Sequence, residues 1–344
     1  MPGPHDPAED TIQAQSLVAP RRFERVDVPT PTGADLADGE VVVRVLAGGI
    51  CGSDLPRWRG VTAHRHPADR GALAAEIPGF PLHEIAGEVV HSAYEGLQAG
   101  QRVVGWALGF DGLAEYVVTP GRALAPYDPA LAPETAVLLQ PLACVLHAVE
   151  RLTGVSGATV SVLGLGPIGL LFAHVLKARG ARHVVGVDRV DRSDVAAQFG
   201  VDEVVTSSSD RWAAALTPDR QPRVVVEAVG HQVTTLTDAI EAAAAGGCIY
   251  YFGIPDDAVY PFPLLRFLRK DLTLISGTTR DYARGIREAG EYLRAHPGLA
   301  DGYVTHVVPV AEAERAYDLA ERPTAGQLKV VVRLSPGDWS RATR

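Results

Sequence analysis

The sequence predicts an α/β protein of two domains, a strand-rich domain followed by a doubly wound parallel sheet. Three observations predict it. The 344 residues exceed what one hydrophobic core usually organises. Up to about residue 150 the apolar runs are short and cut by turn residues, whereas from about 155 short apolar runs alternate with helical stretches. Finally, Gly164, Gly166 and Gly169 stand where the first strand of that second part turns into a helix.

Taken in order, the opening "MPGPHDPAEDT" belongs to a flexible tail over residues 1–14. Strands are expected at "EVVVRVLAGG" (40–49), "IAGEVV" (85–90), "QRVVGWALG" (101–109) and "GLAEYVV" (112–118), spaced as in a partly closed barrel. "TVSVLG" (159–164) reads as a buried strand. The helix after it carries Ile168, Leu171, Phe172, Val175 and Leu176 on one face and stops at Gly180. Further strands are expected at 183–188, 203–208, 223–230, 247–253 and 272–277, with helices at 193–200 and 238–245 between them. Such alternation specifies a parallel sheet covered on both faces. Strand character returns at "THVVPV" (305–310) and "QLKVVVRL" (327–334). The expected division is therefore 15–150 with 295–344 as the strand-rich domain and 151–294 as the nucleotide-binding one.

Composition excludes several functions. With 32 basic and 41 acidic residues the net charge is −9, and no long basic run is present to attract nucleic acid or an anionic membrane. No apolar stretch approaches the ~20 residues needed to span a bilayer. Three scattered cysteines, at 51, 144 and 248, make no disulfide framework, and the N-terminus has no export signal. A reducing, cytoplasmic setting is expected.

The glycine triplet offers a dinucleotide site: the bare backbone of Gly164, Gly166 and Gly169, with Pro167 and Ile168 between them, admits a pyrophosphate to the helix N-terminus. Asp188 ends the next strand, where a carboxylate accepts ribose hydroxyls and repels a 2′-phosphate, so NAD is expected over NADP. Arg189 and Arg192 stand close by, and an arginine there suits the phosphate instead.

A metal site is the other candidate. Cys51 in "ICGSDLPRWRG" and the adjacent His83 and Glu84 in "IPGFPLHEIAGEVV" supply sulfur, imidazole and carboxylate, the donor types of a catalytic zinc. Singly, each also reads as an ordinary residue: a buried thiol, a hydrogen-bonded histidine, a solvated charge. Their order ahead of a dinucleotide fold favours the metal.

Together "GGICGSD", "HEIAGEVV", "GLAEYVV", "QPLACVLHAV", "VLGLGPIGLL", "VVVEAVG" and "THVVPVAEAERAYDLA" resemble the medium-chain dehydrogenase/reductase family, in its zinc-dependent polyol and sugar dehydrogenase branch. The resemblance spans roughly residues 15 to 335. It implies a GroES-like catalytic domain and a Rossmann domain with the active site in the cleft between them. Cys51 and His83 then match the first two zinc ligands, Ser53 the hydroxyl that starts the proton relay, Asp54 the carboxylate behind the ligating histidine, and Glu84 a glutamate able to join the metal. Glu115, Gln140 and Arg57 are the polar candidates for a hydroxyl-rich substrate. A homodimer or homotetramer is the assembly implied.

The chain departs from the family pattern in several places. Gln140 stands where the third ligand is usually a carboxylate or thiolate, with Cys144 one helical turn onward as a substitute. Pro56 occupies the place of a relay histidine, so the proton would leave through the nicotinamide ribose, water, or a nearby histidine such as His64 or His66. Leu82 replaces a glycine. The four-cysteine structural zinc lobe is missing, so one catalytic zinc per subunit and no structural zinc are expected. The reaction expected is NAD-dependent interconversion of a secondary alcohol and a ketone on a polyol, sugar, cyclitol or amino sugar. A metal-free reductase, an NAD-assisted epimerase or lyase, and a non-catalytic nucleotide-binding protein are the alternatives.

Overall fold

The computed structural model describes residues 11–60 and 77–339, which divide into two compact units. The first takes in the chain up to Gln140, Asp281–Arg322 and the residues from Lys329 on; the second is Pro141–Arg280 with Pro323–Leu328. The expected borders at 150 and 295 thus fall at 140 and 281.

In the first unit β1 (Thr11–Ala19) and β2 (Arg22–Pro29) form an antiparallel pair. β1 begins inside the expected tail, because Ile12 and Ala14 are buried and Ala14 bridges Ala114. The main sheet joins β3 (Glu40–Gly49), β4 (Glu84–Ser92), β5 (Arg102–Trp106), β6 (Tyr116–Pro120), β7 (Leu124–Pro126), β14 (Val304–Pro309) and β15 (Lys329–Arg333). Their order is β14-β15-β3-β4-β5-β7, with β6 also paired to β3. β3 is the hub. Its consecutive Val41, Val42 and Val43 are all buried, which a strand covered on both faces requires. Helices α1 (Asp54–Trp58), α2 (Pro133–Ala136), α8 (Tyr282–Ala295) and α9 (Ala313–Glu321) belong to this unit, and Trp58 and Tyr317 from α1 and α9 join its core. α3 (Leu139–Glu150) carries the chain into the second unit.

That second unit is a six-stranded parallel sheet of β8 (Thr159–Leu163), β9 (His183–Asp188), β10 (Glu203–Thr206), β11 (Val224–Glu227), β12 (Cys248–Tyr251) and β13 (Thr273–Ser276). The order β10-β9-β8-β11-β12-β13 is the 3-2-1-4-5-6 sequence of a Rossmann fold. α4 (Pro167–Ala178) follows β8, and α5 (Ser209–Ala215), α6 (Thr235–Ala242) and α7 (Leu264–Arg269) follow later strands. The helix expected at 193–200 is only a single 3-10 turn, Ala196–Phe199. Asp191 accepts the Ser193 N–H at 2.9 Å, a local bond that competes with helix formation, and Gly200 closes the turn in a left-handed conformation. Among the described residues no helix is long and apolar enough to cross a membrane.

Candidate metal centre and cofactor loop

Strand register builds the metal centre. Gly49 at the end of β3 pairs with Glu84 of β4 on one side and with Val331 of β15 on the other. Cys51 lies two residues past that pairing and His83 one residue before it, so positions over thirty residues apart converge. Ligand atoms of Cys51, His83 and Glu84 lie within 4.8 Å of one another.

Asp54 ties the cluster together. Fully buried, its Oδ2 accepts the Cys51 backbone N–H at 2.9 Å, while its Oδ1 lies 2.7 Å from His83 Nδ1. With Nδ1 held, the other imidazole nitrogen is left for an ion, the tautomer control that metal-bound histidines need. Burial works against the imidazolium, but the Asp54 carboxylate and the neighbouring Cys51 outweigh it and hold His83 well above its usual range. Tyr317 from α9 donates to the Pro81 carbonyl and so anchors the turn that leads into His83.

Behind the cluster lies a group that sequence reasoning missed. Lys329, the first residue of β15, is buried and its Nζ is 2.5 Å from Glu84 Oε2. Burial alone would depress the ammonium; the charges of Glu84, Cys51 and Asp54 raise it instead. The only sequence signal was a lysine opening the apolar strand "KVVVR". The pair also explains Gly49: a Cβ there would lie 2.5 Å from Glu84 Oε2 and 2.8 Å from Lys329 Cε. Likewise Leu82, unusual before the histidine, occupies the space that the missing Cβ of Gly48 leaves.

The donor set fits zinc: one sulfur, one imidazole with its tautomer controlled, and one carboxylate within reach. Ser53 is half-buried at the N-cap of α1. Pro56 is buried within α1, and Gln140 is buried near the start of α3. Glu115, expected at the substrate, uses its Oε2 to accept the Gln13 N–H at 2.8 Å and so pins β1. His64 and His66 lie outside the described residues.

The dinucleotide loop of the second unit is built from backbone. Gly164 has φ +87°, and a Cβ on it would meet Val229 at 2.9 Å. A Cβ on Gly169 would collide with the Gly164 carbonyl, which is why α4 can pack against β8 so closely. Gly166 differs: as the N-cap of α4 it has nothing within 4 Å of its Cβ position, the open space a pyrophosphate needs. Pro167 is the first residue of that helix, and Ile168 is half-buried beside it.

Asp188 at the end of β9 accepts the Leu165 N–H at 2.7 Å and the Val190 N–H at 2.8 Å. It therefore shapes the glycine loop, and its remaining lone pairs are left for ribose hydroxyls. Arg189 is exposed next to it. Arg192 is not available to a 2′-phosphate: it is buried, donating to the carbonyls of Thr324 and Gln327 at 2.9 and 2.6 Å. Glu227, raised by burial, accepts the N–H groups of Val229, Gly230 and Gly253 and joins the loops that follow β11 and β12.

Residues 37–129 match the model of the alcohol dehydrogenase GroES-like domain, and residues 167–291 match that of the zinc-binding dehydrogenases. The chain belongs to the zinc-type medium-chain dehydrogenases. Its relatives include the L-arabinitol 4-dehydrogenase of Hypocrea jecorina, 28% identical over 88% of this chain and 87% of that one. The erythritol/L-threitol dehydrogenase of Mycolicibacterium smegmatis is 28% identical over 92% and 94%. Among solved structures, an alcohol dehydrogenase from Thermus sp. ATN1 superposes with a TM-score of 0.74 at 27% identity, covering 94% of this chain and all of that one. Within this medium-chain frame, nine residues (107–115) join β5 to β6 directly.

Proposed function

We propose that the chain is an NAD-dependent dehydrogenase that interconverts a secondary alcohol and a ketone on a polyol, sugar, cyclitol or amino sugar, with one catalytic zinc per subunit. The observation that carries this reading is the convergence of Cys51, His83 and Glu84 onto one point, with Asp54 holding two of the three. Relatives named for arabinitol and for erythritol and threitol support a polyol. When bound, zinc supplies Lewis acidity toward an alcohol oxygen.

The chain's own residues supply the rest. Ser53 relays the hydroxyl proton, accepting it as it passes its own on to water or the nicotinamide ribose, and Gln140 offers a neutral amide either to the ion or to a sugar hydroxyl. The free backbone around Gly166 and the N-terminus of α4 hold the pyrophosphate, and the Asp188 carboxylate favours an unphosphorylated ribose. A homodimer or homotetramer belongs to the same reading. The edge strand β13 and the exposed Leu264, Leu265 and Leu268 of α7 support it.

Metal analysis together with NADH formation on a panel of polyols and sugars tests the proposal. One zinc per chain and NADH production are expected, and Cys51→Ala should lose both. Full activity in protein freed of metal, or in Cys51→Ala, would overturn the zinc assignment. Reduction of substrate without any polyol oxidation would overturn the reaction.

A further inference from the structure

We infer that Arg57 selects a substrate bearing an oxyanion, a carboxylate or a phosphate monoester, a few carbons from the reacting hydroxyl. The inference rests on the dehydrogenase reading above and adds to it the charge of the substrate.

Arg57, in the last turn of α1, and Arg59, its C-cap, have opposite circumstances. Arg59 is paired with Glu321 at 3.6 Å. Arg57 has no carboxylate within ion-pair range among the described residues. Its guanidinium carbon instead lies 4.1 Å from the centroid of the Phe110 ring, and Nη1 donates to the Ser53 carbonyl at 3.0 Å. The Phe110 ring in turn packs 4.9 Å from that of His83. The cation therefore lies within about 9 Å of a metal-site imidazole, a span that a sugar chain of a few carbons covers.

The backbone fixes this stack. Phe110 is a non-glycine residue with φ +59°, a conformation such side chains rarely adopt. It is held by its N–H to the Ala107 carbonyl at 3.0 Å and by its own carbonyl, which accepts from Leu82 at 2.9 Å. The ring is thus locked between His83 and Arg57. A guanidinium lying on an aromatic face keeps its in-plane donors at the edge, and Arg57 spends one of its five N–H groups on Ser53. The remaining fork matches a carboxylate or phosphate. A half-buried cation with no counter-charge among the described residues gains most from a ligand that brings one. A neutral polyol needs no such group, and the local hydroxyl-binding work falls to Ser53 and Gln140.

The test compares matched ligands of four, five and six carbons in three forms: neutral alditol, aldonate and alditol phosphate. Binding is measured by calorimetry on zinc- and NADH-loaded protein, where nothing is oxidised. One anionic form should bind about 10- to 100-fold tighter than the alditol of equal length, the range of a charge-assisted pair. The advantage should vanish in Arg57→Gln, persist in part in Arg57→Lys, and weaken with salt. The aldonate and phosphate arms identify which oxyanion is selected. Equal binding of neutral and anionic forms at every length, or an advantage that survives Arg57→Gln, overturns the inference. Absence of NADH formation from any alcohol, with the anion preference intact, overturns the dehydrogenase reading and leaves the anion site standing.

Discussion

The metal centre and the cofactor loop are built on opposite principles. In the first, charged side chains from β4, β15 and the segment after β3 meet in a buried cluster, and each charge is held by another: His83 by Asp54, Glu84 by Lys329. In the second, Gly166 leaves an open space at the N-terminus of α4, and the groups on offer are backbone N–H donors in a loop that the Asp188 carboxylate shapes through the Leu165 N–H. The comparison teaches where each site is fragile. A side-chain cluster fails when one charge loses its partner, whereas a backbone cradle fails when an atom is added.

The largest effect is expected at Lys329. Removing one partner of a buried ion pair strands the other, at a cost of about 3–5 kcal/mol. Lys329→Met should therefore destabilise the protein by that order in denaturant unfolding, because Glu84 is only 1% exposed. The double variant Lys329→Met/Glu84→Gln should recover much of the loss, since it leaves no unpaired charge. A Lys329→Met protein as stable as the wild type would show that the cluster does not depend on charge pairing.

A smaller effect tests the same idea with a carboxylate that no cation pairs among the described residues. Asp111 follows Phe110, and its Oδ1 is buried without a hydrogen bond among the described residues. Burial raises its pKa from 3.8 to about 6. The sign follows from linkage: the folded state holds the proton more tightly than the unfolded one. This group therefore adds nothing below about pH 4 and costs stability as the pH rises through 6. Asp111→Asn should match the wild type near pH 4 and exceed it at pH 8 by up to about 3 kcal/mol, less to the extent that water reaches the group. An equal gain at both pH values would assign the effect to packing instead of charge.

The two sites also differed in how far they could be read from sequence. The glycine loop was legible because its residues are contiguous and its chemistry is conformational; even Asp188 announced itself by ending a strand. Cys51, His83 and Glu84 became a set only through the order of motifs, since what joins them is the register of Gly49 against Glu84. Lys329 stayed hidden because it is 245 positions from its partner and sits in a run that otherwise looks like plain core. Arg192 misled for a related reason. Its place beside Asp188 suggested a phosphate, but the carbonyls that claim it come from residues 324 and 327. Glu115 likewise looked available for substrate and is engaged by β1. Local motifs reveal conformation, while long-range partners decide what a charged side chain is free to do.

The smallest expected effect, Gly166→Ala, isolates the backbone principle. A methyl at Gly164 or Gly169 would disturb the fold, because the first has φ +87° and the second abuts the Gly164 carbonyl. Gly166 has neither constraint: its φ is −67° and no atom lies within 4 Å of the Cβ position. Gly166→Ala should therefore melt like the wild type. The added methyl stands in the space at the N-terminus of α4, so NAD affinity should fall by roughly tenfold, about 1.4 kcal/mol, as read by fluorescence titration of NADH. Zinc content should not change, since all the donors of the metal cluster lie in the other unit. Unaltered NADH binding would place the pyrophosphate away from this loop, and the contrast between side-chain and backbone sites would then lose its second half.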